Sequence, residues 1–321
     1  MPVTDSDRSV VLRCRRSAGE DPAVLDREAS ELEALGLRLL DTDAAEPDLG
    51  GVSVLVVHST LAVSAALLER ADRLSLVVTT TSGHDHIDCA AASRRGVRVA
   101  RCPRARRDAV VETSMAMALC FLRDVAGLHA LSAAGTWARP MLSQRGLGRV
   151  AGTTVGIVGH GVIGGRAAEA WRALGATVLV SDPLLTDSMP VSELALRSRV
   201  VSLHCSLTDS SRRLVDAGFL AAMSRGAILI NTARGECVDI DALVAAEHLG
   251  GVGLDVYPTE PWQRDERLAR ELTALAARPG VLLTPHAAGY YDGLDEALSR
   301  ETVETVTAWA HGKKLPDEVS C

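Results

Sequence analysis

Short apolar runs alternate with amphipathic stretches along the chain of 321 residues. Such runs, rich in Val, Leu and Ile and bounded by turn residues, are typical of strands buried on both faces. The first half predicts five strands, at Val10 to Leu12, Leu37 to Leu40, Val52 to Val57, Leu74 to Thr79 and Val97 to Ala100. The second half predicts six, at Thr154 to Val158, Thr177 to Ser181, Val200 to His204, Ala227 to Asn231, Val252 to Val256 and Val281 to Thr284.

Helical patterns separate most of these runs, and two are longer than the rest. The stretch from Asp108 to Ala134 is apolar, rich in Ala and Met and free of Pro, which favours one long helix that is buried or forms a dimer contact. The segment from Leu294 to Gly312 predicts a C-terminal helix. Together the elements predict an α/β protein with two Rossmann-like domains, doubly wound parallel sheets and a cleft between the domains.

Composition narrows the class of partner. The net charge of −7 argues against nucleic acid, because phosphate backbones are bound by clustered Lys and Arg. The N-terminal stretch Met1 to Arg8 is polar, so we expect neither a signal peptide nor a membrane span. Seven cysteines are scattered without a C-x-x-C pair or metal-ligand spacing, which favours reduced thiols in the cytoplasm and no metal site.

A glycine motif follows the sixth predicted strand and precedes a helical pattern. Gly159, Gly161 and Gly164 form G-x-G-x-x-G with Val162 and Ile163 inside it. The first glycine permits a tight turn, the second lets the backbone approach a pyrophosphate, and the third lets helix and strand pack closely. This context predicts a dinucleotide site at a helix N-terminus. The alternative is a glycine-rich turn in some other α/β protein.

A carboxylate ends the next strand. Asp182 lies 18 residues beyond Gly164, where the hydroxyls of an adenosine ribose are expected. A carboxylate there accepts hydrogen bonds from the ribose and repels a 2′-phosphate. The sequence therefore favours NAD over NADP, although dual use stays open.

Four further polar residues follow predicted strand ends in the second half: Arg234, Asp255, Glu260 and His286. Ligands of open α/β sheets bind at the carboxyl ends of the strands, so these side chains are expected to converge although more than fifty positions separate them. Taken singly, an Arg in a surface ion pair, an Asp that caps a strand and a His in a loop are the plainer interpretations. Their joint occurrence favours a hydride-transfer site.

These segments resemble the D-isomer-specific 2-hydroxyacid dehydrogenase family, which includes D-lactate, 3-phosphoglycerate and glycerate dehydrogenases. The resemblance runs from about Ser75 to Gly289, and its most specific part extends from Val201 through Asn231-Thr-Ala-Arg-Gly235. It implies an NAD-dependent enzyme that interconverts a small 2-oxo acid and a D-2-hydroxy acid.

The resemblance also implies residue roles. Arg234 would bind the substrate carboxylate and polarise its carbonyl, His286 would be the acid/base, and Glu260 would favour the imidazolium. Asp255 would hold the nicotinamide carboxamide. The cofactor contacts implied are Gly159, Gly161, Val162, Ile163, Gly164, Asp182, His204, Thr232, Ala233, Asp255, His286 and Gly289. The implied substrate contacts are Ser82, Gly83, Arg234 and Arg104.

The implied architecture is a discontinuous substrate (catalytic) domain, residues 1–102 and 290–321, with an NAD-binding domain over residues 103–289, in a homodimer. The chain departs from the family around Arg104, Arg106 and Arg107, where many relatives carry other residues. These arginines would bind a second anionic group of the substrate, such as a phosphate, phosphonate or carboxylate. Alternatively, they form a solvated basic loop or ion pairs with a partner subunit. Two other functions stay open: a phosphite- or formate-type dehydrogenase and an NAD(H)-sensing corepressor-like protein.

Overall fold

The computed structural model describes residues 9–14 and 20–320. Outside these residues lie the stretch Met1 to Arg8, where no signal peptide is expected, and Cys321, which is expected to be a reduced thiol. The chain divides into two compact units, one formed by Met1–Arg106 and Tyr291–Cys321 and the other by Arg107–Tyr290. The functional roles assigned to such units from the sequence stay predictions.

The first unit contains a five-stranded parallel sheet in the order β2-β1-β3-β4-β5. Helices cover both faces because the central strands β3 and β4 are buried on both sides, whereas the edge strand β2 is largely exposed. One face packs against α1 and α11, and the other against α2 and α3. The strands are β1 (Val10–Cys14), β2 (Arg38–Thr42), β3 (Val52–Val57), β4 (Leu76–Thr79) and β5 (Arg98–Arg101), and the helices are α1 (Pro22–Ala34), α2 (Ala65–Glu69), α3 (Cys89–Arg94) and α11 (Leu294–Ala310).

The second unit contains a six-stranded parallel sheet in the order β11-β10-β9-β8-β6-β7. The strands are β6 (Thr154–Val158), β7 (Thr177–Ser181), β8 (Val200–Leu203), β9 (Ile228–Asn231), β10 (Gly251–Leu254) and β11 (Val281–Leu283). The helices are α5 (Val125–Ala133), α6 (Val162–Ala173), α7 (Val191–Arg197), α8 (Ala217–Ala222), α9 (Ile240–Ala245) and α10 (Glu266–Ala276). The strand order reverses between β6 and β8, which is the place where doubly wound sheets bind ligands. The predicted α/β fold with two parallel sheets is confirmed, and every predicted strand is present.

The long helix predicted from Asp108 to Ala134 is two helices. Helix α4 covers Arg104–Leu122, and α5 begins after Asp124, whose backbone is left-handed with φ of 49°. A left-handed residue cannot continue an α-helix, and the Asp124 carboxylate is held by an ion pair with Arg145 at 2.6 Å. The break leaves α5 with no buried side chain, so the expectation of a buried helix holds only for α4.

The described residues contain neither a membrane-spanning helix nor a cluster of metal ligands. None of their helices combines the length and apolarity needed to cross a membrane. No group of three or more His, Cys, Asp or Glu side chains among residues 9–14 and 20–320 is placed to hold a metal ion.

Candidate active site

The glycine motif forms the turn between β6 and α6. Gly159 has φ of 88°, and a Cβ there would lie 2.6 Å from the Cys205 backbone, so only glycine fits. A Cβ on Gly164 would lie 1.9 Å from the Gly159 carbonyl oxygen. At Gly161, the N-cap of α6, no atom lies within 4 Å of that position. The turn thus offers open space directly before a twelve-residue helix whose first amides point toward it.

The Asp182 side chain lies at this turn. One carboxylate oxygen accepts a hydrogen bond from the His160 amide at 2.6 Å, and the other accepts one from the Leu184 amide at 2.9 Å. Each oxygen has a second lone pair that can accept a ribose hydroxyl. Helical Val162 and Ile163 follow Gly161 directly and are half-buried. These residues fit a dinucleotide whose pyrophosphate lies over α6 and whose ribose lies against Asp182.

Two buried polar atoms at neighbouring strand ends lack a hydrogen-bond partner within the described chain: His204 Nδ1 and Thr232 Oγ1. His204 follows β8, its amide donates to the Val158 carbonyl at 2.7 Å, and its Nε2 lies 2.9 Å from Ser202 Oγ. Burial lowers the pKa of His204 to about 4, so the ring is neutral near neutral pH. Such orphaned groups at the switch point are what a bound polar ligand satisfies.

The segment after β9 holds Arg234. Asn231 is fully buried, donates from its side chain to the Arg234 carbonyl at 2.9 Å and accepts from the Ala233 amide at 3.0 Å. The Arg234 guanidinium donates to the Ala233 carbonyl at 2.8 Å. A Cβ on Gly235 would lie 1.9 Å from the backbone of Tyr257, so this residue must be glycine. The position of Arg234 is therefore fixed by a buried amide and by close backbone packing.

Asp255, which follows β10, is fully buried and holds the loop after β11. Its carboxylate accepts hydrogen bonds from Thr284 Oγ1 at 2.5 Å and from the amides of Ala287 at 2.8 Å and Ala288 at 2.9 Å. Its carbonyl accepts from the His286 amide at 2.8 Å. These contacts orient the segment that carries His286. The nicotinamide contact expected for Asp255 stays a prediction.

Glu260 and His286 form a pair. His286 Nδ1 lies 2.6 Å from Glu260 Oε2, and the other oxygen of Glu260 accepts from the Tyr257 amide at 3.0 Å. His286 adopts φ of 54°, which costs a non-glycine residue about 1–3 kcal/mol and is found mostly at functional sites. Because Nδ1 faces the carboxylate, Nε2 is the ring nitrogen that can address a substrate.

The electrostatics link this pair to Arg234. Burial alone raises the pKa of Glu260, but the hydrogen bond and charge of His286 outweigh it and bring the pKa below its usual value. The Tyr257 amide and the Arg234 guanidinium lower the same pKa. Glu260 is thus ionised at neutral pH, and its pKa is lowered by His286 and by the Arg234 guanidinium. The structure brings Arg234, Glu260 and His286 to one region of the second unit.

The residues expected to contact substrate in the first unit lie in the loop after β4. Thr81 Oγ1 donates to the Gly83 carbonyl at 2.7 Å, and Arg101 donates to the Ser82 carbonyl at 3.1 Å. Ser82 Oγ is buried without a partner in the described chain. An anionic ligand accepts hydrogen bonds, so the groups of this loop that could bind one are its amides and the Ser82 hydroxyl.

Arg104 does not support its predicted role in binding a second substrate anion. Its Nε lies 3.1 Å from Glu301 and 3.0 Å from Asp317, and its NH2 lies 3.0 Å from Glu304. Glu301 also accepts from the amides of Arg104 and Ala105, which caps the N-terminus of α4. Three carboxylates would compete with any substrate anion, so the structure favours the ion-pair alternative, formed within the first unit.

Three residues that shape the site had no role assigned from the sequence: Ser202, Asn231 and Tyr257. The Tyr257 hydroxyl donates to the Thr284 carbonyl at 2.9 Å and joins the loops after β10 and β11. Ser202 lies within β8 and Asn231 ends β9, so a polar side chain in an otherwise apolar strand was the available signal for these two. Tyr257 lies after the end of β10 and gave no such signal.

The segments that form this site are also the ones in which the chain is similar to known proteins. The model of the NAD-binding domain of D-isomer specific 2-hydroxyacid dehydrogenases matches residues 115–288. A hydroxypyruvate reductase of Thermotoga maritima is 30% identical over 297 residues, which cover 88% of this chain and 94% of that protein. A D-3-phosphoglycerate dehydrogenase of Mycobacterium leprae is 30% identical over 86% of this chain, but the match spans only 52% of that protein. The crystal structure of a D-lactate dehydrogenase from Aquifex aeolicus, complexed with NAD and lactic acid, superposes with a TM-score of 0.78 at 26% identity and covers 95% of this chain and 96% of that one.

Proposed function

The chain belongs to the D-isomer specific 2-hydroxyacid dehydrogenase family and is an NAD-dependent oxidoreductase of 2-oxo and 2-hydroxy acids, and we propose that it reduces a small 2-oxo acid to the D-2-hydroxy acid at Arg234, Glu260 and His286. The observation that carries this assignment is the 2.6 Å pair of His286 and Glu260, with Arg234 acting on the same carboxylate. When bound, NAD supplies the hydride donor or acceptor of the reaction.

The chain's own residues bind the substrate and move its proton. The Arg234 guanidinium donates two hydrogen bonds to the substrate carboxylate and draws electron density from the carbonyl oxygen. His286, whose Nδ1 lies against the Glu260 carboxylate, gives the Nε2 proton to that oxygen as charge develops on it. In oxidation the neutral ring takes the hydroxyl proton back. The amides of Ser82 and Gly83 are proposed as further carboxylate contacts.

We assign the cofactor contacts to the residues that border the switch point. They are Gly159, Gly161, Val162, Ile163, Gly164, Asp182, His204, Thr232, Ala233, Asp255, His286 and Gly289. The open space at Gly161 and the unpartnered buried atoms of His204 and Thr232 support this set. Asp182 supports NAD over NADP, because a carboxylate repels a 2′-phosphate.

The substrate is proposed to be a small 2-oxo acid without a second anionic group. The three carboxylates around Arg104 argue against a phosphate or phosphonate at that residue. The similarity to a hydroxypyruvate reductase over nearly its whole length supports a three-carbon or two-carbon substrate.

A substrate panel tests these proposals. Loss of NADH absorbance is followed with glyoxylate, pyruvate, hydroxypyruvate, phenylpyruvate, 2-oxoglutarate, 3-phosphohydroxypyruvate and phosphonopyruvate, and the configuration of the product is determined. Formate and phosphite are assayed as NAD reductants. We expect the small acids without a second anionic group to be the best substrates and the product to be D. An L product, or activity with formate or phosphite alone, would contradict the proposed reaction.

We also propose that the chain is a homodimer through the region of α5. That helix is apolar yet has no buried side chain, and Val125, Trp137 and Met141 are 55%, 77% and 40% exposed. An isologous contact with a second copy would bury this apolar surface. Light scattering after size-exclusion chromatography should give the dimer mass, and Trp137→Glu should give the monomer mass. A wild-type monomer at assay concentration would contradict the proposal. The cytoplasmic location stays a prediction from cysteine usage.

A further inference from the structure

Two cysteines far apart in the sequence meet beside the candidate active site. Cys205 Sγ and Cys237 Sγ are 3.9 Å apart, although the residues are 32 positions apart. Cys205 directly follows His204, and Cys237 ends the short 3-10 helix Gly235–Cys237 that begins after Arg234. Neither residue takes part in the proposed reaction. Their sulfurs are in direct contact.

We propose that Cys205 and Cys237 form a reversible disulfide in response to hydroperoxides, and that this disulfide displaces Arg234 and lowers the activity. The effect on activity rests on the proposed function, whereas formation of the bond does not. Disulfides in reducing compartments are usually transient and regulatory, which fits a pair that is reduced in the resting enzyme.

The two thiols have the unequal properties that such a pair needs. Cys205 is partly exposed, while Cys237 is fully buried behind it. The hydrogen bond between the sulfurs raises the pKa of Cys205, and burial adds to this; the same hydrogen bond lowers the pKa of Cys237. Cys205 is therefore the residue of the pair that lies nearer to solvent, and Cys237 is the one whose thiolate form is favoured.

The chemistry balances with one equivalent of hydroperoxide. The Cys205 sulfur attacks a peroxide oxygen and passes its proton to the Cys237 thiolate across the hydrogen bond between the two sulfurs. The O–O bond breaks, a sulfenic acid and hydroxide form, and this hydroxide takes the proton from Cys237. The Cys237 thiolate then attacks Cys205 Sγ, so that the S–S bond forms, the S–O bond breaks and a second hydroxide leaves. Each hydroxide takes up one of the two thiol protons. For hydrogen peroxide, two thiols are oxidised and the peroxide is reduced to two water molecules.

Closing the bond requires movement next to Arg234. The sulfurs must approach from 3.9 Å to about 2.05 Å. On one side, the Cys205 backbone lies against Gly159, where there is no room even for a Cβ. On the other side, the Cys237 amide donates to the Arg234 carbonyl at 3.2 Å, so displacement of Cys237 is transmitted to Arg234. A shift of the order of 1 Å at a substrate-binding group lowers the rate by about 100-fold.

The bond is tested by peptide mapping of the purified full chain. In a parent protein, Cys89, Cys120 and Cys321 are replaced by Ser to limit other cross-links. The parent is treated with hydrogen peroxide, alkylated and digested with trypsin. Trypsin releases Cys205 in residues 200–212 and Cys237 in residues 235–264, each with a single cysteine. We expect these two peptides to appear joined, with a mass equal to their sum less two hydrogen atoms, and to separate after dithiothreitol.

The effect on rate is measured on the same samples. We expect kcat/KM to fall about 100-fold on oxidation and to return with dithiothreitol. Neither the joined peptide nor the reversible loss should occur with Cys205→Ser or Cys237→Ser, and Cys205→Ala gives a second check should one variant fold poorly. Separate peptides after oxidation, or joined peptides with unchanged kcat/KM, would overturn the proposal. A chain that reduces no 2-oxo acid would refute the proposed function, while the peptide map would still decide whether the bond forms.

Discussion

Glu260→Gln tests the acid/base pair most specifically, because it keeps the size of the side chain and a hydrogen-bonding oxygen. The replaced carboxylate lies 2.6 Å from His286 Nδ1, and the two side chains are 36% and 51% exposed. Opposite charges about 4 Å apart interact by about 1 kcal/mol in water and about 4 kcal/mol near a protein surface. Solvent screens this half-exposed pair, so the interaction energy lost on removing the carboxylate should lie near the lower figure, at about 1–2 kcal/mol.

The expected kinetic result follows from the sign of the charge. The Glu260 carboxylate opposes the positive charge that His286 carries when it donates its proton in reduction. Without that carboxylate the charged ring loses about 1–2 kcal/mol of stabilisation, so kcat/KM for reduction should fall about 10-fold, since 1.36 kcal/mol corresponds to a factor of ten.

The assay is kcat/KM for reduction of the best substrate, with Glu266→Gln as the matched control. Glu266 lies in the first turn of α10 in the same unit, away from the pair. The control should keep the wild-type value. A Glu260→Gln value that coincides with that of the wild type would refute the role given to the carboxylate.

Three further predictions concern residues around the pair. Burial lowers the pKa of His204 to about 4 from 6.5. Between these two pH values the folded state therefore binds fewer protons than the unfolded state. The stability that the neutral ring contributes is complete above pH 6.5 and is lost as the pH falls through 4. Chemical unfolding of the wild type should show a loss of up to about 3 kcal/mol over this window, and His204→Gln should lose less; parallel curves for the two proteins would contradict this. Gly235→Ala places a Cβ 1.9 Å from the Tyr257 backbone and should lower the free energy of unfolding by about 1–3 kcal/mol. In the control Gly165→Ala the added Cβ lies 3.7 Å from its nearest neighbour, and the free energy of unfolding should not fall. Equal melting temperatures for the two variants would contradict close packing at Gly235. Asp182→Ser should lower kcat/KM for NADH about 10-fold or more, because a charge-assisted hydrogen bond is lost, and it should raise kcat/KM for NADPH. An unchanged ratio of the two kcat/KM values would contradict the place of Asp182 at the ribose.

Local signals were enough to predict the strands and the glycine turn. An apolar run such as Val52–Val57 predicts a buried strand wherever it lies, and the spacing of Gly159, Gly161 and Gly164 describes one turn whose geometry depends on few distant residues. Strand order and the unit boundaries depend on long-range packing that no local pattern encodes. Periodicity also misjudged the long helix, because Asp124 breaks it through an ion pair with a residue twenty-one positions away.

The roles given to the site residues stay predictions, but their positions can be compared with what the sequence implied. Arg234, Glu260 and His286 follow strand ends, which parallel topology brings to one edge of the sheet. The surroundings of Arg104 could not be predicted, because the three carboxylates around it come from the C-terminal region of the chain. The contact of Cys205 with Cys237 could not be predicted either, since it depends on how two loops lie against each other.

The most direct measurement of the central claim is kcat/KM for reduction in Arg234→Gln and His286→Gln, with NADH affinity determined by fluorescence in the same samples. His311→Gln, an exposed histidine in the first unit, is the matched control. We predict that each site variant loses about 1,000-fold or more in kcat/KM, as expected for loss of a charge-stabilising or proton-donating group, and that the control is fully active. NADH affinity should stay close to that of the wild type in Arg234→Gln and should fall far less than kcat/KM in His286→Gln, because His286 is also assigned as a cofactor contact. Retention of activity within about 10-fold in either site variant, at unchanged NADH affinity, would contradict the assignment of this site.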